Sequence, residues 1–286
     1  MSKKISIEHL EKMSPTKFLK LAKTLDKEFG GILSKGDVDI TEKIDGSAFR
    51  IGLDNGFFVQ TSTSPSYYNV GDFANRAIEL GYEPSLNVNF DNILHHMKSD
   101  TQLQSVLREF GDNFVIVGEI LYPPLGVDEG DTIKFIRTSY DKDKLGSLYT
   151  FVPFHVNTVS GETHPRAQEI MQALYEISDS EKKYAELTID LSSDIDIRKH
   201  LKTLDAEFVS RYDNLPQLLV SRKKSERELK LKLKESVSKL QRNMSNYILS
   251  HIKSGILGDD LEGVVIKLSD DTAFKIVTEK FRMGVM

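Results

Sequence analysis

The sequence predicts an α+β fold, an antiparallel β body interrupted by a mostly helical insert. Three observations predict it. Short β-type runs from 37 to 62 enclose Asp54-Asn55-Gly56, a strong hairpin turn signal. Apolar strand candidates recur at Asn113–Leu121, Thr132–Thr138 and Leu148–Val156, then again at Gly263–Leu268 and Ala273–Val277. Between these two groups, residues 165–253 read as almost wholly helical. The expected organisation is a single domain over 1–286 with a helical subdomain at 165–255 inside it.

Each element has a local cause. Ser14-Pro15 reads as an N-cap followed by the first helical residue, and Phe18, Leu19, Ala22 and Leu25 lie on one face of the helix that follows. Helical spacing returns at 72–81 and 86–110. From Ser221 to Ile252 the apolar residues Leu233, Val237, Leu240, Met244, Tyr247, Ile248 and Ile252 fall on one helix face. The same stretch carries Arg222, Lys223, Lys224, Arg227, Lys230, Lys232, Lys234, Lys239 and Arg242. These are either a solvated face balanced by Glu226, Glu228 and Glu235, or a surface for phosphate backbones.

Composition narrows the function. Apolar residues make up 39% and charged residues 28%, the balance of an ordinary globular protein with a sizeable core. No apolar run approaches the roughly 18 residues of a membrane span, and MSKKISIEHLEKM has no apolar stretch of a secretory signal. The chain has no cysteine, which excludes disulfides, thiolate metal sites and a cysteine nucleophile, and fits a cytoplasmic setting. A net charge of −5 argues against indiscriminate coating of nucleic acid but leaves room for a local basic patch. His95-His96 are adjacent, so a helix points them apart and they make a poor metal pair. There is no Gly-x-x-x-x-Gly-Lys phosphate loop.

Four strand-like runs hold charges that an apolar core would not choose: EKIDGS at 42–47, FVIVGEIL at 114–121, LEGVVIK at 261–267 and AFKIV at 273–277. They supply Lys43, Glu119, Glu262, Lys267 and Lys275. Charges in strands apolar enough to be buried are expected to converge on a shared cleft.

In that order these runs resemble the motifs of the covalent nucleotidyltransferases, the polynucleotide ligases and messenger-RNA capping enzymes. Lys43-Ile44-Asp45-Gly46 matches the family's Lys-x-Asp-Gly. Gly118-Glu119 is similar to its third motif, and Phe151–Val156 to the aromatic strand after it. Glu262–Lys267 matches its fourth motif and Phe274-Lys275 its fifth. The resemblance covers 37 to 281 apart from the insert. Ser47 after Gly46 is similar to RNA ligases, and with eleven residues after Lys275 no OB domain is expected. The chain most resembles the adenylyltransferase domain of a phage-type RNA ligase.

The resemblance implies an ATP-dependent RNA ligase. Lys43 would be adenylated, AMP would pass to a 5′-phosphate end, and a 3′-hydroxyl would then displace it. The cofactors implied are ATP and a divalent ion, Mg²⁺ or Mn²⁺, with Glu262 as its ligand. An amine attacks only when neutral, and free lysine titrates near about 10.4. Neighbouring cations and desolvation favour the neutral form in general, and Lys267, Lys275 and the metal are the implied cations. They would also balance charge on the α-phosphate. Glu42 and Ile44 are implied at the nucleotide, Glu42 at the purine edge, and Glu119 at the ribose hydroxyls. Gly46 suits a tight bend. Phe154, with Phe151 as rival, would stack on adenine unless both belong to the core. The partner implied is nucleic acid, RNA favoured, handled by a monomer in the cytoplasm (a host's, if the protein is viral).

Two features depart from the family pattern. The second hairpin strand reads Gln60-Thr61-Ser62-Thr63 where RNA ligases carry an arginine, and Lys275 is followed by Ile276 and Val277 rather than by a second nearby lysine. A minimal DNA ligase acting on nicked duplex therefore stays open. So does a nucleotide-binding protein of the same fold that has lost sealing.

Overall fold

The computed structural model describes residues 7–28, 30–34, 38–61, 64–81, 85–135, 138–178, 181–189, 193–198, 218–219, 221, 223–252, 255–269 and 272–282. The architecture is α+β with antiparallel sheets. Two compact units divide the chain. A central unit comprises Ile44–Leu187, and a terminal unit comprises Lys4–Lys43 with Thr188–Met286.

The terminal unit opens with β1 (Glu8–His9), α1 (Pro15–Glu28), β2 (Ile32–Leu33) and β3 (Asp39–Lys43). Helix α1 starts where the sequence places it. Proline at the first helical position gives up an N–H that would have no partner there. Lys17 N donates to Ser14 Oγ at 3.4 Å and Phe18 N to the Ser14 carbonyl at 3.0 Å. Phe18, Leu19, Ala22 and Leu25 are all buried.

The central unit follows with β4 (Ser47–Leu53), β5 (Phe57–Thr61), α2 (Asp72–Glu79), α3 (Ser85–Ser99), α4 (Thr101–Glu109), β6 (Phe114–Leu121), β7 (Val127–Asp128), β8 (Thr132–Lys134), β9 (Ser139–Asp141), β10 (Thr150–Thr158) and α5 (Ala167–Glu176). The main sheet is antiparallel in the order β10-β6-β4-β5, and β7, β8 and β9 form a small sheet of their own. Asn55 (φ 55°) and Gly56 (φ 140°) turn the β4–β5 hairpin as predicted. The expected helix over 86–110 is two helices. Asp100 takes an extended conformation and its carboxylate accepts from Gln102 N at 3.1 Å and Leu103 N at 3.0 Å, so it ends one helix and caps the next. Of the strand candidate Thr132–Thr138, the described part ends as β8 at Lys134; Ile136 and Arg137 lie outside the described residues. Phe49, Ile51, Phe114, Ile116, Phe151 and Val156 fill one face of the main sheet and pack on α3, α4 and α5.

The chain then returns to the terminal unit with β11 (Ile195–Asp196), α6 (Arg227–Ser250), β12 (Gly263–Ser269), β13 (Thr272–Val277) and α7 (Glu279–Arg282). The main sheet runs β1-β13-β12-β3, antiparallel except for the β1–β13 pair, and β11 pairs with β2. Ile40, Val264, Ile266, Phe274 and Ile276 cover the sheet's inner face and pack with Leu233, Val237, Leu240, Met244 and Ile248 of α6. Buried Gln241 is satisfied there, donating to the Leu10 and Met13 carbonyls at 2.9 and 3.0 Å.

Part of the stretch read as helical is extended. Its residues 183–189 and 195–196 carry no helix and spend backbone groups on distant segments rather than on each other. Ala185 N donates to the Phe151 carbonyl at 3.1 Å, Ile189 N to the Ile40 carbonyl at 2.7 Å and Ile197 N to the Gly31 carbonyl at 2.9 Å. Residues 199–217 of the expected insert lie outside the described residues.

Candidate functional site

Strand register in the terminal unit puts three of the expected lysines on one sheet face. Lys43 stands opposite Gly263; two residues back Thr41 stands opposite Val265, which pairs with Lys275; two further, Asp39 stands opposite Lys267. Residues two apart along a strand share a face, so Lys43, Lys267 and Lys275 point away from the apolar core. Lys43 Nζ donates to Glu262 Oε1 at 2.5 Å, with the two side chains only 20% and 12% exposed. The adjacent Glu42 belongs to the other face. It is 1% exposed, and its Oε2 accepts from Ile256 N at 2.5 Å and Leu257 N at 3.4 Å.

Sequence reasoning missed His9. The parallel pairing of β1 with β13 sets His9 beside Lys275, on the lysine face. Burial, then the charges of Lys275, Lys12 and Lys43, push its imidazole down to about 4. Its Nδ1 is 3.9 Å from Glu11 Oε1. A two-residue strand carries no period to read, which is why the signal was absent.

The central unit assembles a second group. Ile44 is buried. The backbone N–H of Asp45 donates to Tyr140 Oη at 2.7 Å, so a fully buried tyrosine that the motifs did not point to fixes the Lys-x-Asp-Gly segment. Gly46 has no left-handed backbone; its need is space. A Cβ there would lie 3.1 Å from the Ile120 carbonyl and 3.2 Å from Glu119 Cβ. Glu119 pairs in register with Ala48 and Val152, on the face opposite the core.

The two phenylalanines separate. Phe151 is fully buried and meets Phe49 edge-on at 6.2 Å. Phe154 is 40% exposed, because the register of β10 slips between Pro153 and His155 and leaves Phe154 as the extra residue of a bulge. Arg50, on β4, lies opposite Val117 and Gln60, hence on the Glu119 face. Its Nη1 donates to Gln60 Oε1 at 3.0 Å, and Gln60 Nε2 donates to the Ser64 carbonyl at 2.7 Å. Ser62 and Thr63, where the family's arginine was sought, lie outside the described residues.

Of the expected acidic partners, Glu226 pairs with Lys223 at 3.6 Å just before α6, and Glu228 with Lys232 at 3.8 Å on it. Arg222 lies outside the described residues. Among the described residues no helix is long and apolar enough to cross a membrane. None of their His, Asp or Glu side chains gather in threes as a metal cage. A single carboxylate such as Glu262 fits an ion that takes most of its ligands from water and phosphate oxygens, the habit of Mg²⁺.

The model of one protein family, described as RNA ligase, matches residues 36–280. Among solved structures, the Naegleria gruberi RNA ligase with pyrophosphate (PPi) aligns at 12% identity and a TM-score of 0.46 over 99% of this chain and 58% of that one. A point variant of the same enzyme with ATP and Mn aligns at 12% and 0.47, over 98% and 57%. A variant without ligand gives 12% and 0.46, over 96% and 55%. The chain thus spans little more than half the length of these ligases. No curated protein matches it.

Proposed function

The chain belongs to the RNA ligase family, and from that premise we propose that it joins RNA ends at the expense of ATP through an adenylated Lys43. The observation that carries this reading is the Lys43–Glu262 contact of 2.5 Å, on a sheet face that also carries Lys267 and Lys275.

In the first step the Lys43 amine gives up a proton, for which the Glu262 carboxylate is the immediate acceptor. The amine nitrogen bonds to the α-phosphorus of ATP, and the bond to the bridging oxygen breaks, releasing pyrophosphate. Lys267 and Lys275 balance the charge of the reacting phosphates. Glu119 holds the ribose hydroxyls and Phe154, thrust out by its bulge, offers a ring for the base; Phe151 is already committed to the core. The resemblance puts Glu42 at the purine edge, and its buried carboxylate also holds the backbone at 256 and 257 from behind the nucleophile. A divalent ion, Mg²⁺ or Mn²⁺, bound with help from Glu262, would supply charge neutralisation and orientation of the triphosphate.

In the later steps a 5′-phosphate oxygen takes the AMP from Lys43, which leaves as the free amine. A 3′-hydroxyl then attacks that 5′-phosphorus and expels AMP. RNA is favoured as the partner, through phosphate contacts and stacking of unpaired bases. The test is intact-protein mass after incubation with ATP and Mg²⁺ or Mn²⁺, beside Lys43→Ala. A gain of one AMP in the native chain alone is expected; no gain across a range of pH and metal overturns the reading. Sealing assays on 5′-phosphorylated RNA, DNA and nicked hybrids then set the substrate.

A further inference from the structure

Helix α6 and the turn before it carry a charge pattern that the reaction above does not use. Residues 223–242 hold eight lysines and arginines against three glutamates, a net charge of +5 within a chain whose net charge is −5. Lys223 and Lys232 have ion pairs, and Lys230 donates to the Ser221 carbonyl at 2.5 Å. Arg227, Lys234, Lys239 and Arg242 are exposed and have no ion pair among the described residues. Even with Glu235 set against Lys239 at helical spacing, Arg227, Lys234 and Arg242 remain in excess. Neighbours on the helix surface also repeat the sign: Arg227 and Lys230 are three apart, Lys230 and Lys234 four, Lys239 and Arg242 three. Such like-charge pairs weaken a helix. A polyanion lying along it would relieve them.

Packing decides where this face points. Leu233, Val237, Leu240, Met244 and Ile248 lie against the apolar face of the terminal unit's main sheet, whereas Lys43, Lys267 and Lys275 rise from the other face. The exposed cations of α6 therefore look away from the sheet. A helix about 10–12 Å thick and the sheet itself stand between them and the nucleophile, so they do not reach the reacting phosphates. From Arg227 to Arg242 they run about 22 Å along the helix, enough for several phosphates of one strand.

We propose that the outer face of α6 is a second nucleic-acid contact, holding the phosphate backbone of an RNA strand away from the end being joined. This rests on the ligase reading above, which makes a polyanion the substrate. Lysine and arginine contacts to backbone phosphates carry no sequence information and depend steeply on salt. A strand long enough to reach both α6 and the lysine face is held at two points, which raises its apparent affinity. A short strand gains nothing from the second point.

The experiment compares the full native chain with a variant carrying Lys234→Gln, Lys239→Gln and Arg242→Gln. A charge-keeping counterpart carries Lys234→Arg, Lys239→Arg and Arg242→Lys. Fluorescence anisotropy follows an RNA of about 30 nucleotides with a 5′-hydroxyl, without ATP, across a range of salt. The slope of log affinity against log salt should be shallower by about 2 in the glutamine variant, about 0.7 for each cation lost, and unchanged in the counterpart. With 5′-phosphorylated strands, the KM for AMP transfer to the long RNA should rise severalfold in the glutamine variant. For a strand of about 8 nucleotides it should stay as in the native chain, and kcat and self-adenylation should stay so for both. Equal salt slopes in the native chain and the glutamine variant overturn the proposal. So does an equal rise in KM for long and short strands, which would bring these cations to the reacting end. Failure of the native chain to take up AMP would instead sink the ligase reading, and the salt series, which needs no AMP, still decides the α6 contact.

Discussion

Lys43 and Glu262 are 219 residues apart in the chain, yet their side chains meet at 2.5 Å. The pairing of β3 with β12 brings this about, because it sets Lys43 opposite Gly263, the neighbour of Glu262. Gly263 cannot carry a side chain: its Cβ would fall 2.1 Å from the Ile276 carbonyl. Glu262→Gln keeps the shape of the acceptor and removes its charge. Uptake of AMP by that variant should slow by about 10²-fold or more, the usual worth of a positioned proton acceptor. Single-turnover mass spectrometry reads the rate, and a rate equal to that of the native chain removes Glu262 from the mechanism.

The other side of the same strand makes a different demand. Glu42 accepts two backbone N–H bonds while almost fully buried. Glu42→Ala strands both donors and opens a cavity, which should cost about 2–4 kcal/mol. A urea titration followed by circular dichroism checks this; a midpoint within error of the native value would show that the 255–257 turn finds other partners.

The alternation behind this contrast was present in the sequence. Neighbouring residues of a strand face opposite ways, so Glu42 and Lys43 were bound to part company once the run at 42–47 was read as strand-like. The charged runs at 114–121, 263–268 and 273–277 were legible for the same reason, as apolar alternation with a charge at an outward position. His9 was not legible, since two residues have no period and its neighbour Lys275 is more than 250 positions away. Nor was the non-helical course of 183–189 and 195–196, where distant segments outbid local helical spacing for the backbone groups. Asp100 sits between the two: an N-cap residue within an apolar-periodic run, it could signal a restart, but only its capping bonds fix one.

Gly118 reads in the sequence as one half of a motif, and the structure gives it a packing task. A Cβ there would lie 2.1 Å from the Val152 carbonyl and 2.8 Å from the Phe151 ring. Gly118→Ala should therefore force β6 and β10 apart, at a cost of about 3 kcal/mol. Thermal melting should show a clear fall, and an unchanged melting temperature would mean that the β6–β10 pairing gives way easily.

His9 makes stability depend on pH in a direction that can be worked out. Its imidazole titrates at about 4 when folded, against 6.5 ordinarily, because burial and the charges of Lys275, Lys12 and Lys43 all oppose a proton. Glu11, 3.9 Å away, is the acidic group on the other side. The unfolded chain thus binds a proton between pH 6.5 and 4 that the folded chain refuses. Stability is whole above 6.5 and falls as pH drops toward 4, by at most about 3 kcal/mol from this one residue. His9→Gln cannot take the proton, so urea midpoints measured at pH 7.5, 5.5 and 4 should converge with those of the native chain or cross them as the pH falls. Carboxylates elsewhere titrate in both proteins and cancel in the difference. If the two curves ran parallel from 7.5 to 4, His9 would not be held among those lysines.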